Sequence, residues 1–168
     1  MSVAIYPGSF DPVTLGHLNI IKRASACFDK VIVCTMVNSK KSGMFTPEER
    51  LDMLRRTTAR FPNVEVDASD ELLANYAHRK GATVLVKGLR AVSDFESEVQ
   101  MAIINNKLNP HLETVFLPSS PKYTYLSSTI VKEMARYGAD LAEFIPREIV
   151  DDVNRKMKER EQQERKAK

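Results

Sequence analysis

A chain of 168 residues, 43% hydrophobic and 28% charged, has the make-up of one folded domain and excludes a disordered or membrane-embedded polypeptide. No apolar run approaches the ~20 residues of a membrane helix, and no basic stretch followed by an apolar one marks a signal peptide. The net charge of +3 is local: Arg155 to Lys168 holds seven Lys/Arg and three Glu, net +4, which leaves the rest at −1 and argues against a nucleic-acid face on the body.

The opening run Val3–Tyr6 predicts a strand, and the turn-rich stretch Pro7–Thr14 a loop. A helix begins near Gly16, with Ile20, Ile21, Ala24 and Phe28 on one face. Val31–Val37 predicts a second strand. Asn38–Phe45, with Lys40 and Lys41, is the next loop. Thr46-Pro47-Glu48-Glu49 then reads as a capping box with proline at the first helical position, and Leu51 and Leu54 as the buried stripe. Val64–Val66 predicts a third strand. A helix from Asp70 to Arg79 turns Leu72, Leu73, Tyr76 and Ala77 inward and is capped by Gly81. Thr83–Val86 predicts the fourth strand. The helix after Ser93 carries Phe95, Val99, Ala102 and Ile103 at helical spacing. Thr114–Leu117 predicts the fifth strand, Ser127–Thr129 opens a helix ending near Gly138, and the last helix starts at Pro146. The reading divides the chain into a domain at 1–155 and a basic tail at 156–168, a solvated helical extension for which disorder beyond Glu161 is the open alternative. Cys27 and Cys34 match no zinc spacing and read as buried free thiols in a reducing compartment, the cytoplasm.

Strands alternating with helices predict an α/β fold, a Rossmann-like, doubly wound, five-stranded parallel sheet with helices on both faces. Ligands of such sheets sit at the carboxyl ends of the strands, where the strand order reverses. The loops there are polar or cationic. The first holds Ser9 and leads to His17, the second holds Lys40 and Lys41, the third Lys87, Gly88 and Arg90. The fourth holds Lys122, Tyr123 and Thr124 before Ser127-Ser128-Thr129. Cations and helix starts on one edge point to a polyanion such as a nucleoside triphosphate. Each feature alone has a bland reading as a cap or a solvated charge. Lys87 is the exception, since it directly follows the apolar run Val84-Leu85-Val86. A P-loop, a dinucleotide glycine motif after the first strand and a nucleophile elbow are all missing, and the three histidines lack metal-ligand spacing.

Tyr6-Pro7-Gly8-Ser9-Phe10-Asp11-Pro12 with Thr14-Leu15-Gly16-His17 resembles the opening of the nucleotidyltransferase superfamily with its His/Thr-x-Gly-His motif. Lys87-Gly88-Leu89-Arg90-Ala91-Val92-Ser93-Asp94-Phe95-Glu96 and Tyr125-Leu126-Ser127-Ser128-Thr129 narrow the likeness to bacterial phosphopantetheine adenylyltransferases, over the chain to about residue 155. The resemblance implies transfer of AMP from ATP to 4′-phosphopantetheine, giving dephospho-coenzyme A and pyrophosphate. It implies His17, Lys41 and Arg90 as catalytic groups. ATP would be held by Ser9, Phe10, His17, Gly88, Leu89, Arg90 and Glu98, with Tyr123, Thr124, Tyr125, Leu126, Ser127, Ser128 and Thr129 closing over it. Ser9, Lys41, Leu73, Lys87 and Asn105 would receive the acceptor. Mg2+ carried with ATP, no metal ligand from the protein, a homohexamer of two stacked trimers, and no nucleic-acid or membrane partner complete that expectation. Ser9 stands where the family often has Thr, Thr129 where it often has Ser, and Lys87 where it often has Arg, which keeps the charge and loses the bidentate fork. Three other readings stand beside it: an adenylyltransferase for nicotinate or nicotinamide mononucleotide, a non-catalytic nucleotide sensor, and a nucleic-acid module using the tail.

Overall fold

Five strands and six α-helices alternate in a computed structural model that describes residues 1–37 and 43–166, with backbone alone at 92 and 93. In chain order they are β1 (Val3–Gly8), α1 (Leu15–Cys27), β2 (Lys30–Met36), α2 (Pro47–Thr58), β3 (Val64–Ser69), α3 (Leu73–Arg79), β4 (Val84–Leu89), α4 (Val92–Leu108), β5 (Glu113–Pro118), α5 (Ser128–Arg136) and α6 (Val150–Lys166). All pairings are parallel, in the order β3-β2-β1-β4-β5. The order reverses between β1 and β4, so a crevice opens past their carboxyl ends. This is the predicted fold class.

The strands run beyond the apolar stretches that announced them. Lys87 pairs with Phe116 and Gly88 with Leu117, so both lie inside β4 and not in a loop. A parallel ladder continues wherever backbone partners remain, whatever the side chain.

The core has two layers. Ala4, Tyr6, Val31 and Val33 face α1, α2 and α6, while Ile5, Ile32, Cys34 and Leu85 face Tyr76 and Ala77 of α3. The second strand alternates accordingly, as period-two side chains must when both sheet faces are covered. Both capping signals work locally. Thr46 accepts the Glu49 N–H while Glu49 accepts the Thr46 N–H, and Gly81 takes the left-handed backbone (φ +64°) after α3.

Several sequence expectations change in three dimensions. In α2 the buried positions are Arg50, Met53, Leu54, Thr57 and Thr58, and Leu51 is only half-buried. Leu72 is 53% exposed, because α3 begins one residue later and Leu72 holds the cap position outside it. Phe95 and Ile103 of α4 face outward, and Asn105 is the buried residue of that helix among those described. Cys27 is exposed on the last turn of α1, while Cys34 is buried, its thiol raised to about 11 by burial. The helix past residue 155 is unbroken to Lys166, with Met157 buried and Lys156 2.7 Å from Glu49.

Candidate active site

The switch point between β1 and β4 holds a cleft of about 300 Å³. Tyr6, Gly8, Ser9 and Phe10 form one wall, with Lys87, Gly88 and Arg90 of β4 and its end opposite. The start of α1 (Thr14, Gly16, His17, Ile20) and the start of α5 (Ser127, Ser128, Thr129), with Tyr123 and Leu126, close it. Gly88 allows close packing there: a Cβ would lie 3.1 Å from Ile20 Cγ1, so the Ile20 side chain would have to give by a few tenths of an ångström.

Two helix N-termini therefore face one cavity. The N–H groups of Gly16, Ser128 and Thr129 have no acceptor among the described residues. Such groups carry the positive end of the helix dipole and suit an anion.

His17 is built into the first of these termini. Thr14 caps α1 by accepting the His17 N–H at 3.2 Å, and the Thr14 N–H in return donates to His17 Nδ1 at 3.0 Å. In this capping box an imidazole fills the place usually held by Glu or Gln. Nδ1 is spent as an acceptor, so the neutral ring carries its proton on Nε2. Burial, then Arg90 and Lys87, lower its pKa from 6.5 to about 4, so the ring is neutral at pH 7. The Phe10 ring meets it edge-on, centroids 5.1 Å apart.

Both cations of the cleft lining among the described residues already have partners. Lys87 Nζ lies 3.1 Å from Glu98 Oε2, and Arg90 Nε lies 3.2 Å from Asp94 Oδ2. Arg90 Nη1 also donates to the Leu126 carbonyl at 3.4 Å, which ties the end of β4 to the approach to α5. Tyr6 lines the floor, and burial holds its phenol far above the ordinary range, so its hydroxyl remains protonated.

A second cavity, of about 130 Å³, shares Lys87 and Glu98 with the first. Its other walls are Leu73, Leu85, Met101, Ala102, Asn105 and Thr114. Asn105 is 4% exposed and lines this slot with its amide. An amide in a mainly apolar slot suits a ligand that has an amide of its own.

The structure thus gathers Ser9, Phe10, His17, Lys87, Gly88, Arg90, Glu98, Tyr123, Leu126, Ser127, Ser128 and Thr129 around one cleft, and Leu73, Lys87 and Asn105 around the adjoining one. Three expected nucleotide contacts lie off both linings. Leu89 pairs with Pro118 in the sheet, Thr124 Oγ1 turns back to the Pro121 carbonyl at 3.1 Å, and Tyr125 is 56% exposed against Phe144. Lys40 and Lys41 lie outside the described residues. Tyr6, Thr14, Ile20 and Ser119 line the cleft without having been assigned a contact from the sequence. Tyr6 closes the apolar run that announced β1 and Ser119 directly follows β5, a position like the one that marked Lys87.

The cytidylyltransferase-like family profile matches residues 5–134. A phosphopantetheine adenylyltransferase of Caldanaerobacter subterraneus subsp. tengcongensis is 53% identical over 158 residues, 94% of this chain and 99% of that protein. The chain belongs to the phosphopantetheine adenylyltransferase family. A Clostridium botulinum member is 49% identical over 94% of this chain and 96% of its own length. Solved structures share the fold at low identity. A Vibrio parahaemolyticus chain assigned as a nicotinate-nucleotide adenylyltransferase superposes with TM-score 0.66 at 17% identity, covering 91% of both chains. The Plasmodium falciparum nicotinic acid mononucleotide adenylyltransferase, complexed with NaAD, gives 0.63 at 15%, covering 89% of this chain and 93% of its own. At such identity these two speak for the architecture alone, while family membership rests on the relatives near 50% identity.

Proposed function

We propose that this protein transfers the adenylyl group of ATP to 4′-phosphopantetheine, forming dephospho-coenzyme A and releasing pyrophosphate. The observation that carries the reading is the pair of adjoining cavities joined at Lys87. One is polar and ringed by helix starts, and the other is a narrow apolar slot with the Asn105 amide. ATP occupies the first and the pantetheine arm the second, so the acceptor phosphate and the α-phosphate meet beside Lys87.

An oxygen of the acceptor phosphate bonds to the α-phosphorus in line with the bond to the β-bridging oxygen. That bond breaks, and its electrons leave with pyrophosphate. The attacking oxygen is already anionic at neutral pH, so no protein base is needed. Catalysis is alignment and charge stabilisation. Neutral His17 donates its Nε2–H to the oxygens that gain charge. Arg90 and the starts of α1 and α5 hold the polyphosphate, with Ser9, Phe10, Gly88, Ser127, Ser128 and Thr129 around it. Lys87 leaves Glu98 for the acceptor phosphate, and Lys41 is assigned to the same substrate. Glu98 is the carboxylate of the cleft lining among the described residues, and it faces Lys87, a poor start for a protein-held metal. Magnesium belongs to this reading as part of the ATP substrate, held by phosphate oxygens and water.

The assembly proposed is a homohexamer. Met101, Ile103, Ile104 and Leu108 leave an apolar stripe on α4, with Ile103 63% exposed, a face suited to burial against another copy. The cytoplasm is the proposed location, in keeping with the exposed free thiol of Cys27. No helix among the described residues is long and apolar enough to cross a membrane.

The deciding assay is pyrophosphate release from ATP with 4′-phosphopantetheine, nicotinate mononucleotide or nicotinamide mononucleotide as acceptor. Turnover with the first alone is expected. Faster release with a mononucleotide, or ATP binding without turnover, overturns the reading. Sedimentation of Ile103→Glu tests the assembly: a shift to smaller species is expected, and an unchanged wild-type hexamer refutes the role of the stripe.

A further inference from the structure

Asp11 belongs to the first loop but not to the lining of the cleft. It is 5% exposed, and both its oxygens are engaged. Oδ2 accepts the Met44 N–H and Oδ1 the Phe45 N–H, each at 2.8 Å. Lys132 Nζ of α5 stands 3.3 Å from Oδ2, and Arg50 Nε of α2 stands 3.8 Å from Oδ1. Arg50 grips the same loops from the other side, donating from Nε to the Phe45 carbonyl at 2.9 Å and from Nη1 to the Ser9 carbonyl at 3.3 Å. A buried carboxylate needs such compensation, and an apolar cluster of equal volume would serve packing as well. The charge therefore calls for another explanation.

Its neighbours in the chain supply one. Phe10, the residue before it, has φ +46°, a left-handed backbone that a bulky side chain rarely adopts. Such a conformation persists only where surrounding bonds over-determine it. The Ser9 carbonyl held by Arg50 lies on one side of Phe10, and the carboxylate of Asp11 on the other. The Phe10 ring packs on His17. On the far side, the Pro12 carbonyl accepts Ser128 Oγ at 2.8 Å, at the start of α5. One carboxylate thus fastens the first loop to α2 and α5 while the ring beside it braces the imidazole.

We propose that Asp11 is a positioning residue for the adenylyl transfer: with Arg50 and Lys132 it holds the Ser9–Phe10 turn left-handed, and through the Phe10 ring it aims the His17 Nε2–H into the cleft. The inference rests on the adenylyltransferase reading for its rate measurements, and on geometry alone for its spectroscopic one.

Asp11→Asn is the test. The amide is isosteric, but it offers one acceptor oxygen to two N–H donors. With a misplacement of about 1 Å able to cost ~10²-fold, turnover is expected to fall roughly 10–100-fold, with KM for ATP changed less than about threefold. The decisive comparison is the same substitution in a His17→Gln background, where it is expected to cost less than about threefold, because its effect runs through the missing imidazole. Equal losses in both backgrounds, or a lower melting temperature with unchanged turnover, overturn the proposal. Lys132→Met removes only the half-exposed partner; it is expected to give a smaller loss with the same non-additivity, and it serves if Asp11→Asn does not fold. Independently of turnover, the His17 Nε2–H resonance is expected to shift and broaden in Asp11→Asn, and an unchanged resonance also refutes the proposal. A wild-type protein inactive with every acceptor, whose His17 resonance still responds to Asp11→Asn, would reject the reaction and keep the positioning role.

Discussion

His17 has two tasks that one substitution can separate. Its Nδ1 accepts the Thr14 N–H, which belongs to a residue only 1% exposed, and its Nε2–H is left for the substrate. Gln is a preferred residue at this place in a capping box and can accept the same N–H, but it does not present the imidazole donor. His17→Gln is therefore expected to lower kcat about 10²–10³-fold, the ~2.7–4 kcal/mol of one lost transition-state donor, with a melting temperature within about 2 °C of wild type. His17→Ala loses the donor and the cap together. It leaves the Thr14 N–H buried without a partner, a penalty of about 1–3 kcal/mol, or roughly 2–12 °C at the 2–4 °C per kcal/mol usual for this size. Sequence alone would treat both as pure catalytic variants; the capping box makes only the Gln variant one. Steady-state pyrophosphate release and thermal unfolding by circular dichroism measure the two effects. Turnover of His17→Gln within tenfold of wild type would remove the donor role, and equal stability of the Ala and Gln variants would remove the cap.

Nitrogen-15 NMR of the free protein is expected to show His17 as the Nε2–H tautomer at pH 7, with a midpoint near 4. The folded value lies below the ordinary 6.5, so the unfolded chain binds the extra proton first; the associated stability is complete above about pH 6.5 and lost as pH falls towards 4. A midpoint at or above 6 contradicts the buried, cation-flanked setting. Lys87→Met is expected to raise KM for the acceptor about 10–100-fold, the ~1.5–3 kcal/mol of a charge-assisted hydrogen bond, and KM for ATP less than about threefold. Equal rises in both constants would place Lys87 in the nucleotide subsite.

Signals that act within one turn of chain were legible in advance. Thr46 with Glu49, Gly81 after α3, and the Ser127 cap that accepts the Ile130 N–H at 3.2 Å are contacts between residues three or four apart, where spacing alone dictates geometry. The alternation of strand and helix determined the parallel sheet, and the polar residues at strand ends pointed to the rim where the cleft opens. What spacing does not say is what lies opposite a face. Phe95 and Ile103 recur at helical intervals, yet among the described residues Phe95, beside Phe116, stays 48% exposed and Ile103 63%. Cys27 and Leu72 sit at helix ends, where a shift of one position turns a side chain from core to water.

Composition and periodicity, being properties of neighbouring residues, were enough to decide the class of fold, its single β-layer and the edge where the cleft opens. Only long-range contacts decided the rest: that Lys87 confronts Glu98 across β4 and α4, that Asp11 reaches residues 44 and 45, and that burial beside Arg90 and Lys87 keeps the imidazole neutral. Those outcomes depend on which groups the sheet order brings within a few ångströms and how far it removes them from water, and no local pattern encodes either.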